Sequence, residues 1–226
     1  MATGYNPKIV TDGLVVCLDA ADRKSYPGSG TTWKDRSGNG YDGTLFNSVT
    51  TTSNFQGGLV CDETDEFIAL DDKVPTDYVS VECWYTRDST GSGEDIVFNK
   101  ESCWEIKDNG GSISWAVMAN NQGWFWHDST ADIAVGETIQ FVLTYDGDYV
   151  KSYKNGELVQ TYTYPSGGVL ANQPSCYPKF NSRHCTRTTI QHSGNHTCYQ
   201  FRIYDRALTD AEITQNFNAQ KDKFRL

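Results

Sequence analysis

The chain has 226 residues and carries 29 acids against 19 bases, a formal net charge of −10. That field repels phosphate backbones and anionic lipid, which argues against nucleic-acid binding. The length suits one large core, and no window reaches the eighteen or more apolar residues that a membrane helix needs.

With 13 tyrosines, 10 phenylalanines, 6 tryptophans and 20 glycines against 2 methionines, the composition favours short strands joined by tight turns. The opening "MATGYNPKIVTDG" lacks the basic-then-apolar pattern of a signal peptide, so the chain is expected to stay in the compartment where it is made. In such a chain the odd set of seven cysteines (17, 61, 83, 103, 176, 185 and 198) reads as free, mostly buried thiols rather than a disulfide framework.

In "SGNGYDG", Gly38, Gly40 and Gly43 stand in the spacing G-x-G-x-x-G. A dinucleotide fingerprint must leave a parallel strand and open a helix. Here the glycines lead into the β-like "TLF" with no helical periodicity for the next hundred residues, so they read as positive-φ turn positions. "YVSVECWYT" alternates Val79, Val81, Cys83 and Tyr85 with Ser80, Glu82, Trp84 and Thr86, a strand with two chemically different sides. "SISWAVMA" and "TIQFVLTYD" alternate in the same way. In "YVKSYKNGELVQTYTY", Asn155-Gly156 marks a type I′ hairpin. With the Asp146-Gly147 turn before it, a three-strand meander is expected from Thr138 to Tyr164. The longest irregular stretch runs from Pro165 to Thr188 and holds three of the six prolines. One helix is expected: Thr209 and Glu212 form a capping box, Leu208 staples to Ile213, and Ile213 and Phe217 share the docking face. It is expected to end near Ala219, leaving "QKDKFRL" as a charged tail.

Three sets of residues are candidates for function. Trp124 and Trp126 alternate around Phe125 in "QGWFWHD", and such rings either stack on a sugar, anchor a partner or pack in the core. Cys185, His192, His196 and Cys198 carry ligand types that suit zinc, although no C-x-x-C pair accompanies them. The other reading is a polar "HSGNH" loop with cysteines packed as small hydrophobes. Asp35, Asp42, Asp62 and Asp65 are turn acids that either hold calcium or bond their own backbone; none forms an EF-hand loop. Asn195-His196-Thr197 matches a glycosylation sequon, an accidental match in a chain read as unexported.

Four stretches in order carry a resemblance: "GLVVCLDAADRKSYPGSGTTWKDRSGNGYDGTL", "LVCDETDEFIAL", "GETIQFVLTYDGDYVKSYKNGELV" and "FRIYDRALTDAEI". Together they resemble the concanavalin A-like, laminin G-like jelly roll, in the form found in structural proteins of tailed bacteriophages. The resemblance implies an all-β fold, a two-sheet antiparallel sandwich with one short C-terminal helix. It implies one domain over 1–226, with a core at about 13–217 between a short arm and the tail. The glucanase branch of that family needs paired acids on one strand. In "DETDEFI" Glu63 and Asp65 alternate, but Thr64 stands where an apolar residue belongs and no third acid follows in register. No G-x-S-x-G elbow is present. The expectation is therefore a non-enzymatic virion structural protein without a required cofactor. It would decorate the capsid or form part of a tail or fibre, bind other virion proteins in an oligomer or lattice, and assemble in the host cytoplasm. The alternative is a lectin-like adhesin that binds host-surface glycans through Trp124 and Trp126.

Overall fold

A computed structural model describes residues 8–226 apart from 63, 73, 75, 92, 121, 166 and 172–174. Its first strands are β1 (Leu14–Asp19), β2 (Thr32–Trp33), β3 (Gly43–Phe46), β4 (Thr50–Thr52), β5 (Gly58–Cys61) and β6 (Phe67–Leu70). Next come β7 (Val79–Arg87), β8 (Asp95–Lys100), β9 (Trp104–Asn109), β10 (Ser112–Val117) and β11 (Phe125–Asp132). The last are β12 (Thr138–Tyr145), β13 (Tyr149–Lys154), β14 (Glu157–Thr163), β15 (Lys179–Phe180) and β16 (His196–Tyr204), followed by helix α1 (Asp210–Phe224).

The strands form two antiparallel sheets. Sheet A runs β14-β13-β12-β7-β16-β5-β4, with β1 also paired to β16, and sheet B runs β11-β10-β9-β8-β15-β6-β3-β2. The expected meander is β12, β13 and β14, and Asn155 (φ 52°) with Gly156 (φ 80°) makes its tight turn. "LVCDETDEFIAL" is a crossover between the sheets, since β5 lies in sheet A and β6 in sheet B. Gly38 and Gly40 have the expected positive φ, but Gly43 does not: it begins β3 and pairs with Trp33 and Leu70.

Between the sheets lies the core. Val79, Val81, Cys83 and Tyr85 of β7 meet Phe98, Trp104, Ile106 and Trp115 of sheet B. The other side of β7, expected to be chemically different, is buried as well. Helix α1 covers it. The capping box forms as expected, and Leu208 packs with Ile213. The helix does not stop near Ala219; it runs five residues further because Phe224 reaches Trp84 and stacks on it at 4.2 Å.

Beneath the helix the polar side chains satisfy one another. Glu82 Oε1 accepts from Arg202 Nη1 (2.6 Å), Gln140 Nε2 (2.9 Å) and Trp84 Nε1 (3.2 Å), and Oε2 accepts from Asn216 Nδ2 (2.8 Å). A buried carboxylate is tolerable only with such a set of donors. The outer face of sheet A is thus closed by α1, while most of the outer face of sheet B is built from polar and aromatic side chains.

The expectation of free thiols holds for five cysteines, 17, 61, 83, 103 and 198, all buried. It fails for Cys176 and Cys185, which are disulfide-bonded between the segments that enter and leave β15 of sheet B. Sequence spacing alone cannot identify such a pair, because bonding depends on Cα atoms meeting in space.

Candidate functional site

Strand β11 sits at the edge of sheet B and alternates sharply. Phe125 turns inward against Tyr162 (5.0 Å) and Tyr164 (5.2 Å), and His127 follows it onto Tyr162 (3.6 Å) and Trp115 (5.1 Å). Burial among these rings lowers the pKa of His127 from its ordinary value, which keeps the imidazole neutral near pH 7. Trp126 and Asp128 therefore face outward, and Trp126 is 37% exposed.

Register supplies their neighbours. Trp126 pairs with Ala116, and Ala116 with Glu105; Asp128 pairs with Ser114, and Ser114 with Lys107. Trp126, Asp128, Glu105 and Lys107 thus share the outer face. Half-buried Trp124 lies 5.7 Å from Trp126 and forms an aromatic ridge with it. On one side Lys107, Trp126, His127 and Asp128 enclose a depression of about 170 Å³. On the other, Gln122, Gly123, Trp124, Phe125, Tyr164 and Pro165 enclose about 250 Å³.

Two cations approach the Trp126 ring: Lys107 Nζ is 4.5 Å and the Arg183 guanidinium 5.6 Å from its centroid. Lys107 also donates to Glu94 (3.2 Å), and this bond holds the Glu94 carboxyl below its usual range. Arg183 comes from the loop after β15, which folds back over the sheet. Its Nε donates to Glu105 Oε2 at 2.7 Å and its Nη2 to Oε1, a bidentate pair completed by Asn99 Nδ2 (2.7 Å). Burial raises the Glu105 pKa against the pull of Arg183. From β15 itself, Lys179 donates to the loop carbonyl of Thr186 (2.7 Å), and burial lowers its pKa to about 8. The loop is thereby pinned at several points, and Arg183 is held beside the ridge.

The structure does not bring the four sequence candidates for zinc together. Cys185 is bonded to Cys176, and Cys198 points into the core. The His196 ring is buried against Asn181 Oδ1 (3.0 Å), while His192 sits in the left-handed region (φ 54°) and accepts at its carbonyl from Ile96 N (2.9 Å). Among the described residues no group of three or more His, Cys, Asp or Glu side chains is placed to hold a metal ion.

Asp35, Asp42 and Asp62 accept from backbone N–H groups, and Asp42 also pairs with Lys34. Asp35 accepts from the backbone N–H groups of Cys17, Ser37, Gly40 and Tyr41, and Asp42 from that of Asp35. Asp62 accepts from Thr64 N (2.8 Å), and Asp65 lies in the same exposed turn. Glu63 lies outside the described residues.

Sequence reading found the two tryptophans but not their companions. Lys107 and Asp128 were findable in principle by carrying strand register outward from Trp126. Glu105 was findable the same way; Arg183 was not, because a loop from later in the chain brings it in.

The family model described as "Concanavalin A-like lectin/glucanases superfamily" matches residues 62–214. No curated protein matches the chain. Among solved structures, the binding domain of Paraclostridial Mosquitocidal Protein 1 superposes with a TM-score of 0.70 at 15% identity, over 92% of this chain and 52% of that one. The botulinum neurotoxin serotype D binding domain gives 0.69 at 16% identity, over 93% and 53%. The binding domain of botulinum neurotoxin DC, solved in complex with SialylT, gives 0.71 at 14% identity, over 92% and 52%. The chain spans about half the length of these structures, and at such identities the likeness is one of fold. With the family match covering 62–214 and the two-sheet sandwich formed as that family requires, the chain belongs to the concanavalin A-like lectin/glucanase superfamily.

Proposed function

We propose that this chain is a lectin-like, non-catalytic binding module, and that the Trp124/Trp126 ridge on sheet B receives a carbohydrate. One observation carries the reading. Trp126, a large aromatic that sandwiches normally bury, is exposed beside a second tryptophan, with Lys107 and Asp128 in the adjoining depression. A sugar ring has an apolar C–H face that stacks on indole and hydroxyls that bond charged planar groups, and the ridge offers both kinds of contact. The solved relatives support the direction: one is described in complex with N-acetylneuraminic acid and another with SialylT.

The test is a glycan array followed by titration of a responding glycan, read by tryptophan fluorescence. Trp126→Ala is expected to weaken binding by about 2 kcal/mol, roughly thirtyfold, the scale of an aromatic anchor. An unchanged affinity in the folded variant, or no responding glycan, refutes the reading.

The earlier expectation of a virion protein favours a particular setting for the module, the surface of a tailed-bacteriophage particle in contact with other virion proteins. It rests on the resemblance of residues 13–45 and 201–213 to phage structural proteins. Copies per particle, counted by quantitative mass spectrometry of purified phage, test it: hundreds indicate the capsid, a few indicate a tail or fibre, and none removes the setting.

A further inference from the structure

A further cavity opens on the other sheet, at the margin of α1 and over the paired strands β1 and β16. It measures about 530 Å³ and is walled by Lys8, Ile9, Cys17, Asp19, Arg202 and Gln220, with Asp22 and Arg36 at its rim. That volume lies in the range of small-molecule sites and far exceeds what a single ion fills.

Arg202 makes this more than a dent. The side chain is 2% exposed, with Nη1 donating to Glu82 Oε1 (2.6 Å) and Nη2 to Gln200 Oε1 (2.8 Å). Its Nε–H has no hydrogen-bond partner among the described residues. The cross-strand neighbour of Arg202 is Cys17, whose thiol is at best a weak acceptor. A buried charged donor left in this condition calls for an explanation, because Nη1 and Nη2 of the same side chain each have a partner.

The remaining wall groups point the same way. The Asp19 carboxylate is already engaged, Oδ1 by Lys223 (3.0 Å) and Ala21 N (2.9 Å) and Oδ2 by Gln200 Nε2 (2.7 Å). Asp22 pairs with Arg36 at 3.3 Å. Gln220, also in the wall, uses its oxygen to accept from Gln200 (2.8 Å), which leaves its amide N–H groups as donors. The functionality left over is therefore donor-rich: Arg202 Nε–H, the Gln220 amide and the Lys8 ammonium. Ile9 and Cys17 supply apolar wall.

We infer that this cavity binds a carboxylate-bearing molecule of monosaccharide size, with one carboxylate oxygen accepting from Arg202 Nε–H. The planar two-oxygen acceptor matches adjacent N–H donors. Asp19 and Asp22 in the wall disfavour a dianion, which selects a carboxylate over a phosphate. This inference stands apart from the Trp124/Trp126 reading, which concerns the opposite sheet.

The test follows the Arg202 Nε–H signal in ¹H–¹⁵N spectra of the full chain during titration with D-glucuronate and D-galacturonate. Neutral D-glucose and inorganic phosphate serve as comparison ligands, and the Trp126 indole N–H monitors the other face. The expected result is a saturable shift of the Arg202 signal with at least one uronate and none with glucose or phosphate. Arg202→Lys, which keeps the charge opposite Glu82 but lacks the Nε–H, should weaken uronate binding by about tenfold or more. Because that variant disturbs a buried pair, Cys17→Leu, which adds bulk to the wall beside Arg202, provides an independent block and should also abolish the shift. No movement with either uronate up to about 20 mM, a millimolar-affinity ceiling, overturns the proposal. Equal shifts with glucose or phosphate overturn the carboxylate assignment.

Discussion

Replacing Phe224 by alanine tests whether the last turns of α1 dock on sheet A or hang free. In the structure this side chain is 2% exposed. It stacks on Trp84 at 4.2 Å and 12° and meets Tyr199 at 5.5 Å and Phe55 at 5.3 Å. Truncating a buried phenylalanine costs about 3–5 kcal/mol, and a helix end can relax into the space, so about 3 kcal/mol is expected. For a chain of this length that lowers the melting midpoint by roughly 6–12 °C. Denaturant unfolding followed by tryptophan fluorescence measures the loss, with Leu226→Ala, at a 47% exposed position, expected to stay within about 0.5 kcal/mol. The consequence reaches function, because α1 is what closes the outer face of sheet A and leaves sheet B as the open one. A loss below about 1 kcal/mol for Phe224→Ala, on the scale of surface substitutions, would show that the residues after Ala219 are a tail, and the account of the covered face would fail.

Three further outcomes are expected. Gly156 and Gly40 share φ 80°, but an added Cβ at Gly156 would lie 2.9 Å from Phe217 Cβ, whereas nothing lies within 4 Å at Gly40. Both alanine variants should lose about 1 kcal/mol to backbone strain; Gly156→Ala should lose more in denaturant titrations, and equal losses would mean that α1 does not rest on the hairpin. The bond to Arg206, with those from Thr209, holds the Glu212 carboxyl down to about 2, below its ordinary 4.5. Its folded pKa is depressed, so its contribution is complete above pH 4.5 and fades as pH falls toward 2; solvent screening limits it to about 1 kcal/mol. Glu212→Gln should flatten that part of the stability-pH curve, and an unaltered curve would remove the assignment. Reducing Cys176–Cys185, which closes a loop of sequence separation 9, should cost about 2–3 kcal/mol by chain entropy. It should also change Trp126 fluorescence as Arg183 loosens; a silent reduction would show that the loop is pinned by Lys179 and Glu105 alone.

Local signals were legible and distant ones were not. The Asn155-Gly156 turn and the Thr209/Glu212 box each depend on residues a few positions apart, and both formed as read. The length of the helix depended on Trp84, far back in the chain, and no periodicity near Ala219 could report that contact. The same distance hid the second burial of β7. Ser80, Glu82, Trp84 and Thr86 look like a solvent-facing set in a strand of one sheet, and they become an interior only when a helix lands on them.

The Trp124/Trp126 pair shows the limit from the other side. Period-two alternation tells which residues share a face but not which face is inside. Judged by size alone, two tryptophans should have won the core from Phe125 and His127. They lost because the space above β14 is already lined by Tyr162 and Tyr164, which receive Phe125 edge to face and leave His127 tilted on Tyr162. A tryptophan there would overpack the site. The exposed ridge is therefore a consequence of how the two sheets fill the space between them, and the outward turn of Trp126 places a large apolar ring among Lys107, Asp128 and Arg183. Core packing thus accounts for the outward turn of Trp126, and the proposed carbohydrate site would use the indole that this packing leaves exposed among charged groups.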